Sequence, residues 1–187
     1  WKPGPHNRAR VMKISGRAWI LGDGIDTDVL APGAYMSASL DILSSHCLAA
    51  MRPDFAGAVR AGDVILAGSS FGVGSSREQA AEALKHLGIQ AVIARSLGGI
   101  FQRNALNLGL PAIACNTLQT DGISEFTLAQ IDIAAGRLDV GGRQFATEAL
   151  PEFLLSMIAD GGMLAHLSRQ QADIATGPEN RMTGETS

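Results

Sequence analysis

The stretch DVILAGSSFGVGSSREQ, residues 63–79, indicates the fold because a glycine-rich loop joins a buried strand to a helix. The apolar run at 63–67 has the length and composition of a strand that is covered on both faces. The segment 76–87 has helical spacing, and Ser75 and Glu78 have the spacing of a capping box. The stretch therefore predicts one β-loop-α unit, with Ser75 at the start of the helix.

Similar units lie on both sides of this stretch. Short apolar runs at 14–21, 91–94 and 112–114 predict strands, and apolar residues at helical spacing predict helices over 39–51 and 100–108. Strands that alternate with helices indicate a parallel sheet with right-handed crossovers. Two strands around the turn Gly141-Gly142 and a closing helix are predicted downstream, at 130–134, 143–147 and 151–159. The sequence therefore predicts an α/β fold with a parallel central sheet.

Polar segments at both ends frame one predicted domain. Residues 1–11 contain two prolines and show no periodicity, so we expect an extension that precedes a domain over 12–167. Residues 168–187 are polar and punctuated by glycine and proline, which predicts a flexible C-terminal tail. A total of 187 residues favours a single domain.

The composition excludes several classes of protein. Lys and Arg number 15 against 18 Asp and Glu, so the net charge of −3 offers no basic field for nucleic acid. The longest apolar runs are too short to span a bilayer. Two cysteines, Cys47 and Cys115, are too few for a disulfide scaffold, an all-cysteine zinc site or a self-contained iron–sulfur site. We therefore expect a folded protein of a reducing compartment, the cytoplasm.

The glycine-rich loop has the properties of an anion site. Free N–H groups and the helix dipole converge where a strand leads into a helix, and the guanidinium of Arg77 matches a carboxylate or a phosphate. The common nucleotide-binding motifs do not fit, because no lysine follows Gly74 and Arg77 stands where the dinucleotide fingerprint has its third glycine. From these residues alone, a simple helix cap at Ser75 is an equal alternative.

Several motifs, in matching order and spacing, resemble a known family. They are GDGIDTDV at 22–29, GVGSSREQ at 72–79, AVIA at 91–94 and IFQRNALNLGLP at 100–111. Together they resemble the swivel domain of the aconitase superfamily, and more closely the separate small subunit of 3-isopropylmalate dehydratase (isopropylmalate isomerase). The resemblance extends from about Lys13 to Leu167.

This resemblance implies a fold, a reaction and a partner. The expected fold is a swivelling β/β/α three-layer domain with a parallel sheet at its centre. The expected activity is that of a hydro-lyase, which isomerises 2-isopropylmalate to 3-isopropylmalate by dehydration and rehydration in leucine biosynthesis. The substrate, a small 2-hydroxy dicarboxylic acid, would bind between this chain and a large subunit that carries a [4Fe–4S] cluster. This chain would bind no cofactor and would be active only with that subunit.

The resemblance also assigns roles to the glycine-rich loop. Ser75 is implied to be the catalytic base, and Ser76 and Arg77 are implied to hold a substrate carboxylate. A serine hydroxyl is a weak base, so its alkoxide needs the stabilisation that a helix N-terminus and a nearby guanidinium provide. Three residues in the turn after the first strand are expected to act only through these groups: Asp26, Thr27 and Asp28.

The loop containing Tyr35, Met36 and Ser37 is implied to face the distal group of the substrate. Relatives that accept an additional carboxylate have an arginine at the position of Ser37, and no cation occurs within 32–40. An uncharged alkyl substituent is therefore predicted, since a buried carboxylate would lack a partner. The segment 96–101 reads SLGGIF where relatives commonly read SFARIF, which leaves citramalate/citraconate or dimethylmalate as alternative substrates. A non-catalytic anion-binding module is the alternative from a different class.

Overall fold

The computed structural model describes residues 13–175, which form seven strands and seven α-helices around one mixed sheet. The strands are β1 (Lys13–Leu21), β2 (Val64–Ala67), β3 (Ala91–Ala94), β4 (Ala112–Ala114), β5 (Leu128–Asp132), β6 (Arg137–Val140) and β7 (Arg143–Ala146). The helices are α1 (Thr27–Leu30), α2 (Leu40–Ser45), α3 (Phe55–Ala58), α4 (Gln79–His86), α5 (Gly99–Asn107), α6 (Glu152–Ala159) and α7 (Met163–Ala175). A short 3₁₀-helix covers Gly33–Tyr35.

The sheet has the strand order β4-β3-β2-β1-β5-β6-β7. Strands β1 to β4 are parallel, whereas β5, β6 and β7 continue the sheet in antiparallel pairing. Strand β1 belongs to both parts, because residues 13–17 pair with β5 and residues 18–21 pair with β2. The α/β prediction with a parallel central sheet is confirmed.

Both faces of the parallel strands are covered. Every residue of β2 and β3 is buried, and successive side chains enter two different hydrophobic clusters. Ile65 belongs to a cluster with Leu84 of α4, whereas Leu66 belongs to a cluster with Ile131 of β5 and Leu138 of β6. The parallel strands therefore lie between a helical layer and the antiparallel strands, as the β/β/α arrangement requires.

Gly16 is required where β1 changes its partner. A Cβ atom at this position would lie 2.0 Å from the carbonyl oxygen of Gly62, which is closer than any side chain tolerates. The close backbone approach allows β1 to leave β5 and continue beside β2.

The carboxylate of Asp63 anchors the start of β2 to β1. It accepts hydrogen bonds from Arg17 Nη2 at 2.7 Å, from Trp19 Nε1 at 2.9 Å and from the backbone N–H of Arg60 at 2.9 Å. Burial alone would raise the pKa of this carboxyl group, but the hydrogen bonds and the guanidinium outweigh burial and hold the pKa below its ordinary value.

Three details differ from the sequence-based prediction. The sequence did not predict strand β6, which the turn Gly141-Gly142 joins to β7. Its four residues include two charged ones, and the alternation of polar and apolar side chains is too short to indicate a strand. The helix predicted over 39–51 ends at Ser45, because the chain turns and Leu48 takes a positive φ of 60°. Helix α7 continues to Ala175, so 168–175 are helical where a tail was predicted. The segments 1–11 and 176–187 lie outside the described residues.

Within residues 13–175, no helix combines the length and the apolar character that crossing a membrane requires.

Candidate active site

Three loops continue side by side beyond the carboxyl ends of β1, β2 and β3. The backbone N–H of Gly72 donates to the carbonyl of Ile25 at 2.6 Å, which ties the loop after β2 to the loop after β1. The N–H of Phe71 donates to the carbonyl of Ser96 at 3.0 Å, which ties the same loop to the one after β3. The loop after β2 is thus held from both sides, at the edge where parallel sheets bind ligands.

Gly72 fixes the path of this central loop. Its φ is +73°, and a Cβ atom there would lie 2.3 Å from Cγ of the buried ring of Phe101. Only glycine permits both the conformation and the approach to the ring. The loop is therefore seated on α5 before it reaches the candidate catalytic residues.

Ser75 lies against Thr27 of the neighbouring loop. The backbone N–H of Ser75 donates to Thr27 Oγ1 at 2.9 Å, and Ser75 Oγ lies 3.0 Å from the same oxygen. Ser75 is partly exposed, whereas Thr27 is buried. The hydroxyl of Ser75, the predicted base, thus lies near the surface and is hydrogen-bonded on its inner side to the buried Thr27.

The predicted capping box at Ser75 and Glu78 is wrong. Helix α4 begins at Gln79, and its N-cap is Glu78, which makes no side-chain capping bond. The N–H of Ser75 is already bonded to Thr27, so the chain is still in the loop at Ser75 and enters the helix four residues later. Ser75 therefore lies outside the first turn of the helix, and Thr27 is the hydrogen-bond neighbour of its hydroxyl.

Arg77 reaches back across the loops to α1. Its Nη1 donates to the carboxylate of Asp28 and, at 3.3 Å, to the carbonyl of Ala31. Its Nη2 lies 3.9 Å from the position that a Cβ atom on Gly33 would occupy, so the guanidinium borders the 3₁₀-helix. Both hydrogen bonds use Nη1, which leaves one edge of the planar fork for an additional carboxylate.

The structure brings the three residues of the first turn next to these groups. Asp26 is the N-cap of α1, since its carboxylate accepts from the N–H of Val29 at 2.8 Å. The next residue, Thr27, bonds Ser75, and Asp28 pairs with Arg77. The short helix α1 thus places Thr27 beside Ser75 and Asp28 beside Arg77.

The loop with Tyr35, Met36 and Ser37 is anchored by an aromatic stack that the sequence analysis did not identify. The rings of Tyr35 and His46 are stacked, with centroids 3.7 Å apart and an interplanar angle of 18°. His46 Nδ1 lies 2.9 Å from the carbonyl of Ile42, and since a carbonyl only accepts, this nitrogen carries the proton. Met36 is half-buried and Ser37 is exposed. The stack holds one end of the loop, and Ser37 remains open to solvent.

The segment after β3 explains one departure from the family pattern. A Cβ atom on Gly98 would lie 2.5 Å from the carbonyl oxygen of Gly72, so glycine lets α5 begin close to the central loop. A Cβ atom on Gly99 would have no atom within 4 Å, so the position of the missing arginine is open space. Asn104, five residues after Gly99 on the same helix, donates to the carbonyl of Ser76 at 3.4 Å and supports the loop from α5.

The described residues do not fit an iron–sulfur cluster. Within 13–175, no three His, Cys, Asp or Glu side chains are grouped so that they could hold a metal ion. Cys47 and Cys115 are buried in two different hydrophobic clusters. Burial raises the pKa of the Cys47 thiol to about 12, which keeps it protonated and unsuited to binding iron.

Comparisons with known proteins agree with this geometry. The family described as Aconitase C-terminal domain matches residues 52–117. The chain is 44% identical over 156 residues to the methanogen homoaconitase small subunit of Methanothermobacter thermautotrophicus, covering 82% of this chain and 89% of that protein. It is 41% identical to the 3-isopropylmalate dehydratase small subunit of Halothermothrix orenii, covering 82% and 94%. The crystal structure of 3-isopropylmalate dehydratase from Methanocaldococcus jannaschii matches with a TM-score of 0.78 and 37% identity, covering 87% of this chain and 98% of that one.

A parallel sheet backed by antiparallel strands, with a serine-bearing loop at its carboxyl edge, defines the swivel-domain class of the aconitase superfamily. Within that class, the chain belongs to the family of 3-isopropylmalate dehydratase small subunits. The predicted membership is confirmed.

Proposed function

We propose that the chain is the small subunit of a cytoplasmic hydro-lyase that isomerises 2-isopropylmalate to 3-isopropylmalate in leucine biosynthesis. The observation that carries this proposal is the loop on which Ser75, Ser76 and Arg77 follow one another beside Thr27 and Asp28. It combines a candidate base with a carboxylate-binding group at one sheet edge. The names of the relatives support the same activity.

In the proposed reaction, Ser75 Oγ moves the proton. As an alkoxide it takes the proton from the carbon next to a substrate carboxylate as hydroxide leaves the neighbouring carbon, and Ser75 becomes a hydroxyl. In the second half of the reaction it gives that proton back as hydroxide adds in the other orientation, which restores the alkoxide. The hydroxyl of Ser76, which is exposed, and the free edge of Arg77 hold the carboxylate. Asp28 holds the guanidinium of Arg77 and so keeps that edge in place.

In this proposal, the large subunit assists the departure of the substrate hydroxyl. The cluster, which the family resemblance assigns to the large subunit, would supply a Lewis acid there. Among residues 13–175, no three His, Cys, Asp or Glu side chains are grouped so that they could hold a metal ion, which supports this division of roles. The open loop edge around Ser75 is then the surface over which the large subunit closes.

The loop 35–37 favours an alkyl substituent on the substrate. Ser37 is exposed and uncharged. The guanidinium of Arg77 borders the loop, but it is paired with Asp28 on one edge, and its other edge is assigned to a different carboxylate of the substrate. A second candidate is a homoaconitase-type activity on a substrate with a third carboxylate, which the name of the 44% identical relative favours. We place it second because a third carboxylate would meet no free cation in 32–40.

The test uses this chain alone and together with a cluster-bearing large subunit of the same family. The isolated chain should show neither iron absorbance nor dehydratase activity, and the assembled enzyme should convert 2-isopropylmalate to its unsaturated diacid. Preference for a hydroxy-tricarboxylate would support the second candidate. Robust activity of the isolated chain, or no activity of the complex on any malate derivative, would refute the proposal and favour an anion-binding module.

A further inference from the structure

The hydroxyl of Thr27 is a buried group whose hydrogen bonds both go to Ser75. Thr27 is 1% exposed, and within residues 13–175 the hydrogen-bond neighbours of its Oγ1 are the backbone N–H and the Oγ of Ser75, at 2.9 and 3.0 Å. A backbone N–H can only donate, so Thr27 Oγ1 accepts that bond with one of its lone pairs. The next question is which atom accepts the hydrogen bond of the threonine O–H.

The burial of Thr27 decides which oxygen donates in the pair of hydroxyls. A buried O–H without an acceptor costs free energy, and Ser75 Oγ is the acceptor within reach among the described residues. Ser75 is partly exposed, so its own proton can point to the open side of the loop. The arrangement with the fewest unsatisfied groups has Thr27 as the donor and Ser75 Oγ as the acceptor.

From this we infer that Thr27 is a positioning residue for the reaction: it donates a hydrogen bond to Ser75 Oγ, directs the proton of Ser75 toward the substrate side and stabilises the oxygen when that proton has left. The inference rests on the proposed function, in which Ser75 is the base. A hydrogen bond donated to the charged form of a group favours ionisation. Thr27 therefore supplies stabilisation that a helix N-terminus at Ser75 would provide, because the helix begins only at Gln79.

The surrounding backbone holds Thr27 in this position. Its own N–H donates to the carbonyl of Val73 at 2.9 Å, which ties the backbone of Thr27 to the central loop two residues before Ser75. A Cβ atom on Gly74 would lie 2.9 Å from Thr27 Oγ1, and φ of Gly74 is +120°. A larger residue at 74 would push the threonine oxygen away from Ser75. Asp26 caps α1 and so fixes the direction of its first residue.

The experiment compares Thr27→Val and Thr27→Ser in the assembled enzyme. Valine keeps the shape of threonine and removes the hydroxyl, whereas serine keeps the hydroxyl. We expect Thr27→Val to lower kcat about 10- to 100-fold with KM changed less than about threefold, as for loss of one donor to a developing anion. The limb of the pH–rate profile that reports the base should move to higher pH, and Thr27→Ser should restore kcat and the profile.

Additional measurements separate this role from a structural one. Thr27→Val should leave assembly with the large subunit intact, and the amide of Ser75 should exchange hydrogen faster than in Thr27→Ser. A near-normal kcat and an unshifted pH profile in Thr27→Val would overturn the inference. A raised KM without a pH shift, or failure of Thr27→Ser to restore activity, would also overturn it, because Thr27 would then only shape the loop. An inactive wild-type complex would instead refute the proposed function, and the inference with it.

Discussion

Replacing Ser75 with alanine should lower the turnover rate strongly while the chain still folds. The side chain of Ser75 makes one hydrogen bond in the described structure, to Thr27, and its backbone N–H keeps its own bond to Thr27 in the variant. Because helix α4 begins at Gln79, no helix cap is lost. The buried Thr27 hydroxyl loses its acceptor, so the free energy of unfolding should fall by about 1–3 kcal/mol, and the chain should still fold.

The loss of turnover should be larger than the loss of stability. Removal of a general base typically costs about 10²- to 10⁴-fold in rate, which corresponds to roughly 3–5 kcal/mol in the activation free energy. The assay is the steady-state rate of the assembled enzyme with 2-isopropylmalate, alongside urea unfolding of the small subunit. Ser69→Ala is a matched control, because Ser69 lies on the same loop and is bonded through its backbone N–H to Asp23.

Two results would refute this reasoning. A Ser75→Ala enzyme with a near-normal rate would show that Ser75 only shapes the loop. A Ser69→Ala enzyme that loses as much activity would show that any change in the loop stops turnover, so the loss at Ser75 would say nothing about proton transfer.

Individual contacts support four more predictions. Ser37→Arg should shift the ratio of kcat/KM values toward substrates with an added carboxylate, because it supplies a cation to the loop; an unchanged ratio contradicts the role given to that loop. Ser44→Ala should raise the free energy of unfolding by about 1 kcal/mol, since among residues 13–175 the buried Ser44 hydroxyl finds no hydrogen-bond partner, and a less stable variant in urea would disprove this. Asp63→Asn should destabilise the chain by about 2 kcal/mol at pH 7. The pKa of Asp63 is lower in the folded than in the unfolded chain. The difference in the free energy of unfolding between the wild type and Asp63→Asn should therefore have its full size above the unfolded pKa of about 4, and it should shrink as the pH falls through the folded pKa. A difference that does not change with pH would contradict this prediction. Gly72→Ala should lower the melting temperature more than Gly24→Ala, because both have φ near +70° but only Gly72 faces a ring; equal losses would show that φ alone matters.

The parallel half of the fold could be predicted from the sequence because burial on both faces leaves a clear signal. VILA at β2 and AVIA at β3 are continuous apolar runs, and each is followed by a loop and a helix. Strand β6 could not be predicted in the same way. It has one covered face, and its four residues alternate charged and apolar side chains over too short a distance to be distinguished from a turn.

The residue types of the candidate site could be predicted, but their pairings could not. Ser75 and Arg77 attract attention because they follow a glycine-rich loop. Their partners, Thr27 and Asp28, lie 48 and 49 residues away in the chain and become neighbours only through the pairing of β1 with β2. The capping-box prediction failed for the same reason, since a local pattern cannot show that a distant hydroxyl has already taken the N–H of Ser75.

Strand β1 belongs to both parts of the sheet, so we expect the two parts to unfold together. Its first half completes the antiparallel strands and its second half completes the parallel ones, so neither part can detach without opening the other. Such a strand couples local openings into one cooperative unit. A cavity made far from the loops, for example at the buried Phe145 of β7, would therefore also reduce the free energy that keeps Ser75 beside Thr27.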